Sequence, residues 1–131
     1  HVGIHTHTSK GYPALKLRVT LANTYRRAVD RFVEIVGVPG YIHTAKPDLR
    51  SNRKRTKVLY TAMWQAHGAK KVLETLLPYL VIKREQTRLG IQFRDTFDEP
   101  YTLGRGHPLP DYIRESRQDM CFRMKALKQV N

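Results

Sequence analysis

The sequence predicts an α+β fold, in which helices cover one face of a four-stranded antiparallel sheet. The first observation is the alternation in segment 14–21, where leucines and a valine are separated by Lys16, Arg18 and Thr20. Side chains along a strand point alternately to its two faces, so this segment predicts a half-buried strand with one aliphatic and one cationic face. The second observation is the order of the predicted elements: two strands, a helix, two strands, and then helices.

The remaining strands follow from similar patterns. Turn residues at 9–13 favour a hairpin between a first strand and the 14–21 strand. In the last strand Tyr60, Ala62 and Trp64 share a face, and we expect the two aromatic residues in the core rather than as stacking platforms for bases. The further strands are predicted at 2–8, 41–44 and 58–64.

The helices follow from apolar residues spaced three and four positions apart. Thr24 is the expected N-cap of the first helix, and Gly37 and Pro39 end it. A loop at 97–110 divides the chain into a core at 1–95 and a loop plus C-terminal helix at 96–131. The predicted helical stretches are 29–36, 69–93 with a kink or stop at Pro78, and 111–130.

The charge is strongly positive and unevenly distributed. The 131 residues carry a net charge of +13. Residues 1–73 hold 14 Lys or Arg and 3 Asp or Glu, a net of +11, whereas residues 74–131 hold 10 and 8, a net of +2. A basic surface of this size favours a nucleic acid partner, whose phosphates would make binding steeply dependent on salt.

Other features exclude several classes of protein. Cys121 is the only cysteine, so an internal disulfide is excluded, and we expect a buried thiol in a reducing, intracellular compartment. The longest apolar run, 76–82, contains a proline and is too short to span a membrane. His1, His5 and His7 share a strand face but lack neighbouring acidic or thiol ligands, so contact with DNA is favoured over metal binding.

The densest basic run is 50–57, which holds five cations in eight residues. It predicts either a solvated loop or a clamp on DNA phosphates at the edge of the sheet. Asn52, Arg53 and Arg55 are also suited to base edges in the major groove, which accommodates a two-stranded ribbon. No phosphate-binding glycine loop, metalloprotease motif or nucleophile elbow is present, so the residues alone favour a binding module over an enzyme.

Several segments together resemble the LAGLIDADG homing endonucleases of the single-motif type. LLPYLVIKREQ at 76–86 resembles the family's Leu-x-Pro-Tyr/Phe-Leu-x-x-Lys-x-x-Gln segment. The similarity spans residues 2–94 and, more loosely, 111–131, and it depends on the order and spacing of the pieces. The other similar pieces are KLRVTLANTYRRAVDRFVEIVG at 16–37, PGYIHT at 39–44 and the ending MKALKQVN.

The resemblance implies a saddle-shaped sheet that straddles the major groove of double-stranded DNA. Lys83 aligns with a basic residue that in the family lies near the scissile phosphate and can stabilise developing charge; the alternative is a cation at a helix start. Lys83 is therefore the expected catalytic residue. The expected DNA-binding residues are His5, His7, Lys10, Lys16, Arg18, Thr20, Tyr41, His43, Lys46, Arg50, Arg53, Lys54, Arg55 and Lys57.

The sequence departs from the family at the helix that gives it its name. In the family this helix precedes the first strand, forms the subunit interface, and ends in a carboxylate that holds a divalent metal. Here that carboxylate would stand before His1, and no acidic residue of the chain is placed to replace it. If that helix is supplied, we expect Mg²⁺-dependent cleavage of DNA by a homodimer or together with a second chain. If it is not, we expect a relative that binds DNA without cutting it.

Two alternatives are compatible with the composition. The first is a protein that binds structured RNA, either a maturase on the same fold or a ribosomal-type protein, and the second is a basic structural protein with no specific ligand. The cations concentrate on one strand pair and one loop rather than in a long tail. This distribution favours DNA binding.

Overall fold

The computed structural model describes residues 1–9, 12–49, 56–97 and 109–130. It confirms the predicted α+β fold. In chain order the elements are β1 Val2–Ser9, β2 Tyr12–Asn23, α1 Arg26–Val36, β3 Tyr41–Ala45, β4 Leu59–Gln65, α2 Ala66–Leu76, a 3₁₀ turn Leu77–Tyr79, α3 Arg84–Asp95 and α4 Asp111–Val130. Within these ranges, no helix has the length and apolar character needed to cross a membrane.

The four strands form one antiparallel sheet in the order β1-β2-β4-β3. β1 is therefore an edge strand, and its register places His5 opposite Lys16 and Gly3 opposite Arg18. The pleat separates the residues into two faces, as the alternation predicted. The buried members of the helix-covered face are Val2, Ile4, Leu17, Val19, Ala62 and Trp64.

The C-terminal helix α4 packs against α3 and against the edge strand β1. A buried arginine fixes its first half: Arg117 Nε donates a hydrogen bond to Thr96 Oγ1 at 3.0 Å, and its guanidinium lies 3.8 Å from the centre of the Phe97 ring. Cys121 is buried as predicted, and its thiol donates to the Ile4 carbonyl oxygen at 3.8 Å. Helix α4 thus forms part of the same core as the sheet.

Two local predictions were wrong. Thr24 does not cap α1, because the helix begins after Tyr25 and Asn23 Oδ1 instead accepts the Tyr25 backbone N–H at 2.9 Å. An asparagine side chain can satisfy the backbone two residues later, as it does here. The interruption predicted at Pro78 is confirmed, because α2 ends at Leu76 and the 3₁₀ turn Leu77–Tyr79 follows. Leu80, which the apolar spacing had placed in the helical stripe, has extended backbone instead. Gly37 ends α1 in the left-handed conformation, as predicted.

Candidate nucleic-acid interface

The uncovered face of the sheet, called here the outer face, collects most of the predicted DNA-binding residues that the structure describes. In the register, Thr20 pairs with Met63, which also pairs with Tyr41, so these three side chains form one row. The described members of the outer face are His1, Gly3, His5, Lys16, Arg18, Thr20, Thr61, Met63, Gln65, Tyr41 and His43. Because the faces alternate, residues from four strands lie together on one surface.

The outer face carries cations without carboxylates. No Asp or Glu occurs in β1, β2, β3 or β4. Among the described residues, no ion pair involves Lys16 or Arg18. Within the described ranges, Arg18 Nε and His5 Nε2 are buried atoms that have no hydrogen-bond partner. Buried polar groups normally have partners, so this surface suits a ligand that accepts hydrogen bonds.

A group of five basic residues lies at the start of β1; we call it the basic cluster, and its members are His1, His5, Arg18, Lys83 and Lys128. Lys128 Nζ donates a hydrogen bond to His1 Nε2 at 2.9 Å, and the His1 and His5 rings are 5.7 Å apart. A Cβ atom on Gly3 would lie 2.7 Å from His5 Nε2 and 2.8 Å from Lys128 Nζ. A side chain at position 3 would therefore force the ends of these side chains to shift.

The members of the basic cluster repel one another. Burial, followed by the charges of Arg18 and Lys128, lowers the pKa of His5. Burial, followed by the charge of Lys83, lowers the pKa of Lys128, with Cys121 acting in the opposite direction and Lys125 adding to the decrease. A bound anion would relieve this repulsion, because an opposite charge favours the protonated forms.

Lys83, the predicted catalytic residue, lies at the N-cap of α3. Its carbonyl oxygen accepts the Thr87 N–H at 2.9 Å, which fixes the backbone of the helix start. After burial, the charge of Lys83 is the next cause that lowers the pKa of Lys128, so the two ammonium groups lie within electrostatic reach of each other. The structure thus brings Lys83 near Lys128, while its catalytic role stays a prediction.

The basic cluster does not fit a magnesium ion. Mg²⁺ binds oxygen ligands, chiefly carboxylates, and water. The cluster offers imidazole, ammonium and guanidinium groups, which either are poor magnesium ligands or repel a divalent cation. Among the residues that the structure describes, no three His, Cys, Asp or Glu side chains are grouped so as to hold a metal.

Three further groups of residues were the subject of sequence predictions. Lys46 and Lys57 are exposed on the described ends of the β3–β4 connection. Trp64 lies in the core as predicted and donates from Nε1 to the Val38 carbonyl oxygen at 2.9 Å, so it is no stacking platform. The predictions for Lys10, Arg50, Arg53, Lys54, Arg55 and the side chain of His7 lie outside the described residues.

Lys128 is a member of the basic cluster that the sequence did not predict. In the sequence it comes one residue after the last apolar residue of the α4 stripe, where an ordinary solvated cation is expected. Gln86 ends the segment 76–86 but was assigned no role: this buried side chain donates from Nε2 to the Leu127 carbonyl oxygen at 3.4 Å and holds α4 against α3. Both contacts join residues far apart in sequence, so no local pattern could have indicated them.

The architecture is shared with solved structures of homing endonucleases. The chain is similar to I-CvuI in complex with its target in the presence of calcium, with a TM-score of 0.68, 15% identity, and coverage of 97% of this chain and 73% of that one. The chain has a homing endonuclease fold. For the archaeal intron-encoded homing endonuclease I-Vdi141I bound to DNA, the TM-score is 0.70, at 10% identity and coverage of 97% and 75%.

A second complex of I-CvuI, with the I-CreI target and magnesium and with the DNA uncleaved, gives a TM-score of 0.59 at 15% identity, covering 92% of this chain and 85% of that one. No protein-family model matches the chain. No curated protein matches it by sequence either. Because the identities to the solved structures are low, the likeness is one of fold.

Proposed function

We propose that the chain is a double-stranded DNA-binding unit of a homing endonuclease-like protein, with the outer face of the sheet as its DNA-binding surface. The observation that carries the proposal is the pair of cations on β2, Lys16 and Arg18, with His5 of β1 beside them, on a face without carboxylates. Its fold is found in homing endonucleases solved with DNA, which supports the same use of the sheet.

Duplex DNA is favoured over structured RNA by the geometry of the surface. A sheet presents side chains in rows, and the wide major groove of B-form DNA admits paired strands and exposes base edges. The major groove of an RNA helix is deep and narrow, so side chains cannot read it. Polar and aromatic groups such as Tyr41, His43 and Thr61 continue the outer face on β3 and β4, beside the cations of β2, where they can contact base edges.

A binding experiment tests this proposal. The affinity for a mixed-sequence DNA duplex is measured by fluorescence anisotropy over a series of salt concentrations, with a structured RNA as competitor. We expect the logarithm of the binding constant to fall linearly with the logarithm of salt, by about 0.9 for each phosphate neutralised. Preference for the RNA, or no binding to duplex DNA at low salt, would overturn the proposal.

We further propose that cleavage, if the intact protein performs it, depends on a carboxylate supplied from outside the described residues. Magnesium supplies Lewis acidity and an activated water to phosphodiester hydrolysis. In this arrangement Lys83 contacts the phosphate and stabilises the charge that develops on it. Its position at the basic cluster supports that role.

Cleavage is tested on plasmids carrying candidate insertion sites, with Mg²⁺ present. We expect the chain of 131 residues to bind without cutting, and a version extended N-terminally by an acidic helix to cut. The Lys83→Met variant of the extended version should still bind, and at DNA concentrations that saturate it should cut more slowly. Cutting by the unextended chain, or an inactive extended version on its own insertion site, would contradict this part of the proposal.

We propose a second copy of the chain as the partner that completes a long DNA site. The stretch that leads into α3 exposes Tyr79, Val81 and Ile82, at 82%, 87% and 74% of their surfaces. Contiguous exposed apolar residues are typical of an interaction site. Light scattering on the protein with and without duplex DNA tests this, and a strict monomer in both states would overturn it.

A further inference from the structure

We propose that Lys128 is a second phosphate-binding residue, which α4 carries to the outer face of β1, so that Lys83 and Lys128 together hold one backbone phosphate of bound DNA. The inference rests on the proposed DNA-binding function and deepens it. It adds the C-terminal helix, which otherwise covers the back of the sheet, to the binding surface.

The end of α4 is held by contacts to two other elements. The thiol of Cys121 donates to the Ile4 carbonyl oxygen on β1, and Met124 is almost fully buried. One turn later, the buried side chain of Gln86 donates to the carbonyl oxygen of Leu127, the residue before Lys128. Because Gln86 and Lys83 belong to the same turn at the start of α3, this contact also sets the two lysines relative to each other.

The ammonium group of Lys128 lies on the outer side of the sheet. Position 3 of β1 points to the outer face, and a Cβ atom built there would lie 2.8 Å from Lys128 Nζ. The side chain therefore passes around the edge strand from the helix-covered side to the side that carries Arg18 and Lys16. The hydrogen bond to His1 Nε2 holds it there.

The surroundings of Lys128 suit an anion. Among the described residues, the charges that act on it are those of Lys83, Lys125 and the Cys121 thiol, and no carboxylate is among them. A cation at the end of a helix also interacts favourably with the helix dipole, which would give Lys128 a purely structural role. That role requires neither the proximity of Lys83 nor a position on the outer face, and it predicts a loss of stability instead of a loss of DNA affinity.

The test compares Lys128→Met with Lys71→Met on a mixed-sequence duplex. Lys71 is exposed on α2, away from the sheet, and serves as the matched control. We expect Lys128→Met to reduce the salt slope by about 0.9, the loss of one neutralised phosphate, and to leave the melting temperature nearly unchanged. Lys128→Arg should restore the slope, and Lys71→Met should not change it.

A double-mutant cycle with Lys83→Met tests whether both lysines hold the same phosphate. If they do, the losses of affinity are not additive, because the second substitution acts on a phosphate already weakly held. Gly3→Ala gives an independent variant, since its new Cβ displaces the flexible end of Lys128 without removing the lysine. We expect it to reduce the salt slope as Lys128→Met does.

The outcomes separate this inference from the proposed function. If the wild type binds duplex DNA and Lys128→Met behaves like Lys71→Met, the role of Lys128 is overturned and the DNA-binding function stands. If Lys128→Met lowers the melting temperature while the salt slope is unchanged, the residue is structural and the inference is again wrong. If the wild type does not bind duplex DNA, the proposed function and this inference both fail.

Discussion

The two sides of this molecule use positive charge in different ways. On the helices, cations lie beside carboxylates, as in the pairs Arg26–Asp30 at 3.5 Å and Arg31–Glu34 at 3.0 Å. On the outer face of the sheet, Lys16 and Arg18 have no carboxylate on their own or neighbouring strands. The cations of the helices are thus partly offset by neighbouring carboxylates, whereas the two cations of the outer face are not and can attract a polyanion.

The difference extends to packing. On β2, Leu17 and Val19 are buried against the helices, whereas Lys16 and Arg18, next to them in sequence, lie on the outer face. The same strand thus contributes to stability through one set of side chains and to the proposed binding through the other. Substitutions at neighbouring positions should separate the two properties.

The largest effect is expected from Leu17→Ala. Truncating a fully buried leucine removes apolar contacts and leaves a cavity, which costs about 2–5 kcal/mol of the free energy of unfolding. Lys16→Ala, at the adjacent position on the opposite face, should change stability by less than about 0.5 kcal/mol. Urea denaturation of both variants measures the contrast, and equal losses would show that the two faces are not as different as the register indicates.

A charge reversal on each side is expected to have the next largest effect. Arg18→Glu should weaken binding to duplex DNA roughly tenfold or more near physiological salt, since it replaces a phosphate contact by a repulsion. Arg31→Glu makes the same change of charge on α1 and should reduce the affinity much less, because helix α1 lies on the other side of the sheet. Similar losses for the two variants would indicate binding through net charge alone.

The smallest effect concerns pH. Arg18 and Lys128 face His5, which lies beside the His1 ring. The pKa of His5 is lowered from 6.5. The folded protein therefore protonates His5 less readily than the unfolded chain does. Its contribution to stability is complete above pH 6.5 and is lost as pH falls toward the lower folded pKa. We expect the free energy of unfolding to fall less steeply below pH 6.5 in His5→Gln than in the wild type.

The same group reports on the ligand. A phosphate close to the His5 ring favours the charged form, so duplex DNA should raise the pKa of His5. The imidazole resonances in NMR spectra, followed over pH with and without DNA, measure this change. An unchanged pKa in the presence of saturating DNA would place the phosphates away from the basic cluster.

The sequence predicted the strands and their faces because a period of two is a local property of the chain. Lys16, Arg18 and Thr20 could be assigned to one face without knowing which strands pair. The start of α1 was not predictable in the same way, because Tyr25, which makes no side-chain cap hydrogen bond, occupies the N-cap position, and Asn23 satisfies its backbone N–H instead. The final helix, 111–130, was predicted with its observed bounds.

The candidate site was predicted only in part. Lys83 was found through a resemblance in its surrounding segment, and His5 through the alternation of β1. Lys128 and Gln86 reach the site through the packing of α4 against β1 and α3, which places residues 41 positions apart in contact. Contacts of this kind depend on the tertiary fold and leave no local pattern in the sequence.

A map of the DNA contacts on the protein tests most directly whether the outer face binds duplex DNA. Duplex DNA is added to the isotopically labelled chain, and the backbone and side-chain resonances that shift are assigned. We expect the shifts to concentrate on the outer face, at Lys16, Arg18, Tyr41 and His43, and at Lys128, with α1 and α2 little affected. Shifts centred on the helices, or no shifts at saturating DNA, would contradict it.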